Sequence, residues 1–249
     1  AVIIAIFSYL SIEMIAVAAG EAKDPQRAIT RAFRATMARL LFFYLLTLAL
    51  VLAIIPWEAA GTAGSPFVKV MSATHVPGAA GLINLVILVA ALSAMNSQLY
   101  ITTRMMFSLS RAGYAPRRFG EVNARGVPLA ALLLSSIGIA LAAALNKLAP
   151  DASFTLMISV SMFGALFTWL MIFVTHLFFR RKHLAPSGFR MWGYPYTSAL
   201  GAGLMLAVLI TSAFTREFRM TLVCGLPFIA VLTLAYYIWF RRDLREPRR

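Results

Sequence analysis

Long apolar stretches alternate with short polar segments along the whole 249-residue chain. A helix needs about 20 apolar residues to cross the hydrocarbon core of a bilayer. Seven stretches approach or exceed that length, and they lie at 1–19, 37–56, 79–103, 128–149, 153–179, 197–214 and 220–240. The pattern therefore predicts an all-α integral membrane protein, with seven transmembrane helices in a single transmembrane domain.

The composition excludes two broad classes of protein. Apolar residues make up 61% of the chain and charged residues only 13%, whereas soluble domains hold about 45–50% and about 25% respectively. This balance excludes a water-soluble globular domain and an intrinsically disordered chain. Cys224 is the only cysteine, which excludes a disulfide framework and a cysteine-based metal or redox motif.

The distribution of basic residues predicts the topology. The formal net charge is +14, and four segments, 20–39, 104–127, 180–196 and 241–249, hold all but four of the 23 Lys and Arg residues. Because cytoplasmic loops are enriched in Lys and Arg, these segments and the C-terminus are expected to face the cytoplasm. The charge then reflects orientation in the inner membrane and attraction to anionic lipids on its cytoplasmic side, not binding of nucleic acid. This orientation places Ala1 outside, so an odd number of preceding spans is expected.

The first basic segment contains a helix-start signal. Asp24 followed by Pro25 is typical of a helix N-cap and first helical position. Arg27, Arg31 and Arg34 follow at helical spacing on one face. These residues predict a short amphipathic cytoplasmic helix before the span at 37–56, with its Arg side chains on lipid phosphates.

Glu13 is the only acidic residue within a predicted span. A charged side chain at the bilayer centre costs about 2.5–3.5 kcal/mol on insertion scales. Glu13 is therefore expected to face protein or a water-filled cavity, or to be protonated. Two interpretations remain open: a proton-titrating or gating carboxylate beside a substrate cavity, and a structural carboxylate bonded to a neighbouring helix.

Other polar or small residues within spans predict helix contacts. Asn96 lies on a polar stripe of the third span, where ligand contact and interhelical hydrogen bonding are equally consistent with the pattern. Small-residue faces around Gly164 and Gly203 predict close helix packing. The three histidines lie far apart in sequence, which gives no support to a metal site. With one intramembrane carboxylate and no paired nucleophile or base, the sequence favours transport over catalysis, and neither a catalytic residue nor a cofactor is expected.

Several segments resemble a known family. Residues 7–13 and 19–25 resemble the sixth helix and following loop of amino acid permeases of the amino acid–polyamine–organocation (APC) superfamily, closest to the bacterial amino acid transporter subgroup. Residues 94–100, 108–116 and 125–128 are similar to the eighth helix and the loop after it. Residues 168–171 and 180–182 resemble the end of the tenth helix.

The resemblance implies a LeuT-type inverted-repeat transporter fold of twelve helices. The seven spans would be helices six to twelve, and five further helices of the same polypeptide would precede them. The first span would be a broken helix whose freed carbonyls near Phe7 and Leu10 receive the α-ammonium group of an amino acid, with Phe7 as an aromatic gate. Glu13 matches the acidic position after the break. The family usually has Gly where Ser11 stands.

Taken together, the residues and the resemblance predict secondary active transport of an amino acid, as proton-coupled symport by alternating access. The expected substrate-binding residues are Phe7, Ser8, Leu10, Ser11 and Asn96. Glu13 would couple the proton or gate the cavity, and the proton would be the only coupling ion. An amino acid/amine antiporter of the same fold and a truncated fragment inactive on its own are the alternatives. The cavity residues favour a neutral or aromatic amino acid over an acidic one, and they leave a basic amino acid or GABA open.

Overall fold

The computed structural model describes residues 5–6, 8–19, 22–60, 65–182, 191–215 and 219–243. Within these ranges the secondary structure is helical and contains no strand. The α-helices are α1 (Met14–Ala19), α2 (Pro25–Ile54), α3 (Trp57–Ala60), α4 (Pro66–Ala73), α5 (Ala79–Arg111), α6 (Leu129–Leu148), α7 (Pro150–Lys182), α8 (Tyr196–Phe214) and α9 (Arg219–Asp243).

Six of these helices are long and apolar enough to cross a membrane. They are α2, α5, α6, α7, α8 and α9, and they coincide with the predicted spans from 37–56 onward. Because hydrocarbon offers backbone groups no hydrogen-bond partner, long apolar runs in lipid must be helical. The chain is a multi-pass membrane protein. The first predicted span, 1–19, lies partly outside the described residues and remains a prediction.

Helix α2 is continuous where the sequence predicted two elements. The Asp24 side chain caps it by accepting a hydrogen bond from the backbone N–H of Arg27 at 3.2 Å, and Pro25 occupies the first turn. Residues 25–36 contain no helix breaker after Pro25, so the helix that begins at the cap runs directly into the span. Its 30 residues correspond to about 45 Å at the α-helical rise of 1.5 Å per residue. That length exceeds the hydrocarbon thickness of about 30 Å, so the Arg27 end extends beyond it.

The chain divides into two compact units, Ile15–Thr102 and Ala1–Met14 together with Thr103–Arg249. In the Ile15–Thr102 unit, α2 packs against α3 and α4. The side chains of Ile55 and Val70 are buried there, and the ammonium group of Lys69 donates a hydrogen bond to the carbonyl of Ala59 at 2.9 Å. These contacts hold the two short helices that follow α2 against its end.

In the other unit, α7 packs against α6, α8 and α9. Two glycines admit aromatic rings from α7 at these contacts. A Cβ added at Gly225 on α9 would lie 2.1 Å from Cγ of Phe163, and one at Gly201 on α8 would lie 2.6 Å from the ring of Phe173. The close packing predicted at Gly164 and Gly203 is not seen among the described residues, because an added Cβ at either position meets no atom within 4 Å. Close packing here depends on rings seated over glycines, not on facing stripes of small residues.

The end of α7 is joined to the start of α8 by polar contacts. Nδ1 of His176 and Oγ of the fully buried Ser198 share a hydrogen bond of 2.8 Å. The Tyr194 hydroxyl donates to the carbonyl of Leu177 at 3.2 Å, and the Tyr194 ring contacts the His176 ring edge-on at 5.2 Å. The segment before α8 is thereby fastened to the last turns of α7.

The end of α5 shows why residues 108–116 form a recognisable motif. Gly113 has a φ of +85°, a conformation that glycine adopts without a Cβ clash. The Tyr114 N–H donates to the carbonyl of Leu109, and the Gly113 N–H donates to that of Ser110, which is the Schellman pattern of a helix C-terminus. The Ser110 hydroxyl then donates to the Pro116 carbonyl at 2.7 Å and holds the following turn.

Candidate functional site: a broken helix beside α7

The first predicted span is interrupted in the described structure. Residues 5–6 are helical, residues 8–13 form turns, and α1 begins at Met14. The turns bond backbone groups three residues apart: Ser8 N–H to the Ala5 carbonyl at 3.2 Å, and Tyr9 N–H to the Ile6 carbonyl at 3.0 Å. An α-helix would join groups four residues apart. Residues 8–13 therefore form turns and not an α-helix, in the segment where the family resemblance implied a break.

Ser11 sits at the conformational centre of this break. Its φ is +78°, one of two positive values among the described non-glycine residues. Such a conformation costs an L-residue roughly 1–2 kcal/mol, a cost that glycine would avoid. The Met14 N–H bonds to the Ser11 carbonyl at 3.2 Å, so it bypasses the Leu10 carbonyl that a continuous helix would have used. The backbone hydrogen bonds of this segment thus differ from those of a regular helix.

Glu13 is the last residue of the break and directly precedes α1. Its Oε2 accepts a hydrogen bond from the indole N–H of Trp169 on α7 at 2.9 Å. The two residues are 156 positions apart in sequence and belong to the same compact unit. The carboxylate is partly buried, and it therefore faces protein, one of the outcomes expected for an acidic residue in a span.

Only some of the predicted site residues lie together in the described structure. Ser8, Leu10, Ser11 and Glu13 share the 8–13 segment; Ser8 is exposed, and the other three are partly buried. Phe7 lies outside the described residues. Asn96 is exposed on α5 and belongs to the Ile15–Thr102 unit. The substrate-binding roles assigned to these residues remain predictions.

Trp169 was missed by the sequence reasoning. Hydropathy treats a tryptophan within an apolar span as one more apolar residue, although its indole carries a donor that seeks an acceptor when buried. A usable signal was present, because Glu13 needs a donor inside the bilayer and Trp169 is the only Trp within a predicted span interior.

A shallow cavity of about 400 Å³ lies along another face of α7. It is lined by Thr168, Met171, Ile172, Thr175, His176 and Phe179. None of these is a predicted site residue, and most of its surface is apolar. Among the described residues, no three His, Cys, Asp or Glu side chains cluster in a way that could hold a metal ion.

These features define a class of protein: a multi-pass membrane protein in which one helix is interrupted and a single carboxylate lies beside the interruption. The family profile described as amino acid permease matches residues 1–248. The chain belongs to the amino acid permease family.

Curated relatives agree with this assignment. The chain is 36% identical over 236 residues to the uncharacterized amino acid permease YtnA of Bacillus subtilis, covering 93% of this chain and 51% of that protein. It is 33% identical over 237 residues to the probable threonine/serine transporter YbxG, with coverage of 94% and 51%, and 32% identical over 249 residues to the gamma-aminobutyric acid permease, with coverage of 98% and 53%, both also from Bacillus subtilis. The chain spans about half the length of these relatives. No solved structure matches it significantly.

Proposed function

We propose that the protein acts in secondary active transport of an amino acid across the cytoplasmic membrane, as a proton-coupled symporter that works by alternating access. The observation that carries this proposal is the break at residues 8–13 with Glu13 at its end, in a chain of the amino acid permease family. Broken helices near the bilayer midplane offer backbone dipoles and carbonyls to polar substrates. One titratable carboxylate beside such a break is suited to carry a proton together with the substrate.

The proposed substrate contacts follow from the chemistry of the break. Backbone carbonyls around Leu10 would accept hydrogen bonds from the substrate's α-ammonium group, and the hydroxyls of Ser8 and Ser11 would contact the amino acid. Phe7 would be the aromatic gate, and the substrate-binding role of Asn96 stays a prediction from the sequence. Glu13 is the only acidic residue of this segment and already accepts a bond from Trp169. These groups favour a neutral amino acid, and the names of the relatives make threonine, serine and GABA the first substrates to test.

The test is uptake of radiolabelled amino acids by proteoliposomes that contain the full-length protein as its gene encodes it. An inward proton gradient should drive accumulation, and an uncoupler should abolish it. Glu13→Gln should lower proton-driven accumulation by about tenfold or more, the effect of roughly 1.4 kcal/mol in a rate or equilibrium, because the amide has similar size but cannot titrate. Glu13→Asp keeps the carboxylate and should retain uptake.

The outcomes separate the alternatives. Uptake that ignores both the proton gradient and the uncoupler would refute proton coupling. Transport that requires a preloaded internal amino acid or amine would instead identify an antiporter. Equal uptake by Glu13→Gln and the wild type would leave Glu13 with a structural role.

A further inference from the structure

Both sides of the break rest on one face of α7. Before the break, Ile6 packs against the buried side chains of Met162 and Leu166. After it, the Glu13 carboxylate accepts the hydrogen bond from Trp169. Met162, Leu166 and Trp169 follow the i, i+4, i+7 spacing that places side chains on one helical face.

An unwound segment depends on its surroundings for its shape. Residues held at sparsely populated backbone angles, such as Ser11 at a φ of +78°, persist only where neighbouring structure determines them. Ile6 supplies an apolar contact, which has no directional preference. The Trp169–Glu13 bond is directional, and an indole N–H can only donate while an ionised carboxylate can only accept. That bond therefore orients the carboxylate, which the apolar contact does not do.

We propose that Trp169 is the positioning residue for Glu13. Its indole N–H holds the carboxylate at the end of the break and ties the unwound segment to α7, and it acts through Glu13 without touching the substrate. The proposal rests on the proposed function, because it takes Glu13 to carry the coupling proton. A carboxylate without this donor would still lie near the break but in the wrong orientation for coupling.

Trp169→Phe tests the role, since it keeps an aromatic ring and removes the donor. Trp57→Phe is the matched control, because Trp57 is 71% exposed on the short helix α3. In proteoliposomes of the full-length protein, uphill accumulation driven by a proton gradient is compared with substrate exchange at equal concentrations. Trp169→Phe should lower accumulation by about tenfold, the scale of one hydrogen bond to a charged acceptor, while exchange falls much less. Trp57→Phe should match the wild type in both assays.

A spectroscopic measurement tests the contact without reference to transport. The ultraviolet resonance Raman band of indole that reports N–H hydrogen bonding is recorded for the wild type, Glu13→Gln and Glu13→Ala. Glu13→Ala should shift part of the tryptophan band toward a weaker hydrogen bond. Glu13→Gln, which retains an oxygen acceptor, should shift it less. This measurement remains decisive if Trp169→Phe cannot be purified in folded form.

The outcomes distinguish this proposal from the proposed function. If the wild type shows no proton-driven uptake, the proposed function fails. The Raman measurement still tests whether Trp169 and Glu13 are hydrogen-bonded. If the wild type is proton-driven and Trp169→Phe accumulates substrate as Trp57→Phe does, the positioning role is overturned. If Trp169→Phe loses exchange and accumulation equally and also has a lower melting temperature, Trp169 contributes to packing and does not position Glu13. An unchanged Raman band in Glu13→Ala would also overturn the proposal.

Discussion

Gly225 allows a sharp test of how α7 is held against α9. A Cβ at this position would lie 2.1, 2.2 and 2.4 Å from three ring carbons of Phe163. Carbon atoms in contact prefer separations of about 3.5–4.0 Å, so the ring would have to retreat by about 1 Å or more. Phe163 is only 3% exposed, and its ring lies nearly parallel to that of Phe167, at 5.9 Å between centroids and 9° between planes.

The size of the effect follows from a comparison with a glycine in open space. Overpacking of this kind costs about 1–3 kcal/mol. Gly203→Ala is the matched control, because an added Cβ there meets nothing within 4 Å and replacing Gly in a helix gains roughly 0.5–1 kcal/mol. Because Gly225→Ala gains the same helix propensity, the overpacking alone separates the two variants, and Gly225→Ala should melt at a lower temperature than Gly203→Ala by the equivalent of about 1–3 kcal/mol.

The assay is thermal unfolding of the full-length protein in detergent, followed by intrinsic fluorescence at one scan rate for all variants. Phe163→Leu in the Gly225→Ala background should recover part of the loss, because the smaller side chain vacates the space that Ala occupies. Gly225→Ala melting at or above Gly203→Ala would refute the steric reasoning. The absence of any coupling between positions 163 and 225 would refute the assignment of the clash to this ring.

Two further predictions concern polar groups. Thr221 is fully buried, and its hydroxyl has no hydrogen-bond partner among the described residues, so Thr221→Val should leave the melting temperature unchanged or raise it. Ser198→Ala should instead lower the melting temperature by the equivalent of about 1–3 kcal/mol, because His176 loses a buried hydrogen-bond partner. The opposite order in the same unfolding assay would contradict both assignments. Asp24→Ala removes the side-chain cap of α2 and should cost about 0.5–2 kcal/mol of helix stability. The loss should appear as faster amide hydrogen exchange around residues 25–29, whereas Asp24→Asn should exchange at nearly the wild-type rate. Equal exchange rates in all three proteins would show that the cap contributes nothing to helix stability.

The positions of the long helices were predictable from the sequence because the bilayer leaves few alternatives. A run of about 20 apolar residues in hydrocarbon must form a helix, and all six helices identified as long enough coincide with predicted spans. Hydropathy, however, marks where lipid ends and not where a helix ends. Helix α2 begins at Pro25, and α5 ends at Arg111, each in a polar segment that hydropathy assigned to a connection.

The candidate site was predictable only in part. Glu13 stands out because placing an acidic side chain in a membrane span costs free energy. Its partner could not be found in the same way, because hydropathy counts Trp169 as apolar and Trp169 lies 156 residues away in sequence. The break was expected from the family resemblance and not from composition, because Ser11 is neither Gly nor Pro. Positive φ at a serine depends on surrounding contacts, which a single sequence does not display.

Helix α7 is held more firmly against α8 and α9 than against the break. Phe163 is seated over Gly225 and Phe173 over Gly201, and a ring enclosed by backbone resists sliding because interiors are close-packed. The break, by comparison, is held to the same helix by an apolar contact at Ile6 and by one hydrogen bond at Glu13. Opening that hydrogen bond requires far less rearrangement than displacing either ring. If the break changes conformation during transport, it therefore moves against a fixed α7. Glu13→Gln, which keeps an oxygen acceptor for the indole N–H, should then alter transport with little effect on the melting temperature, whereas Gly225→Ala should lower the melting temperature.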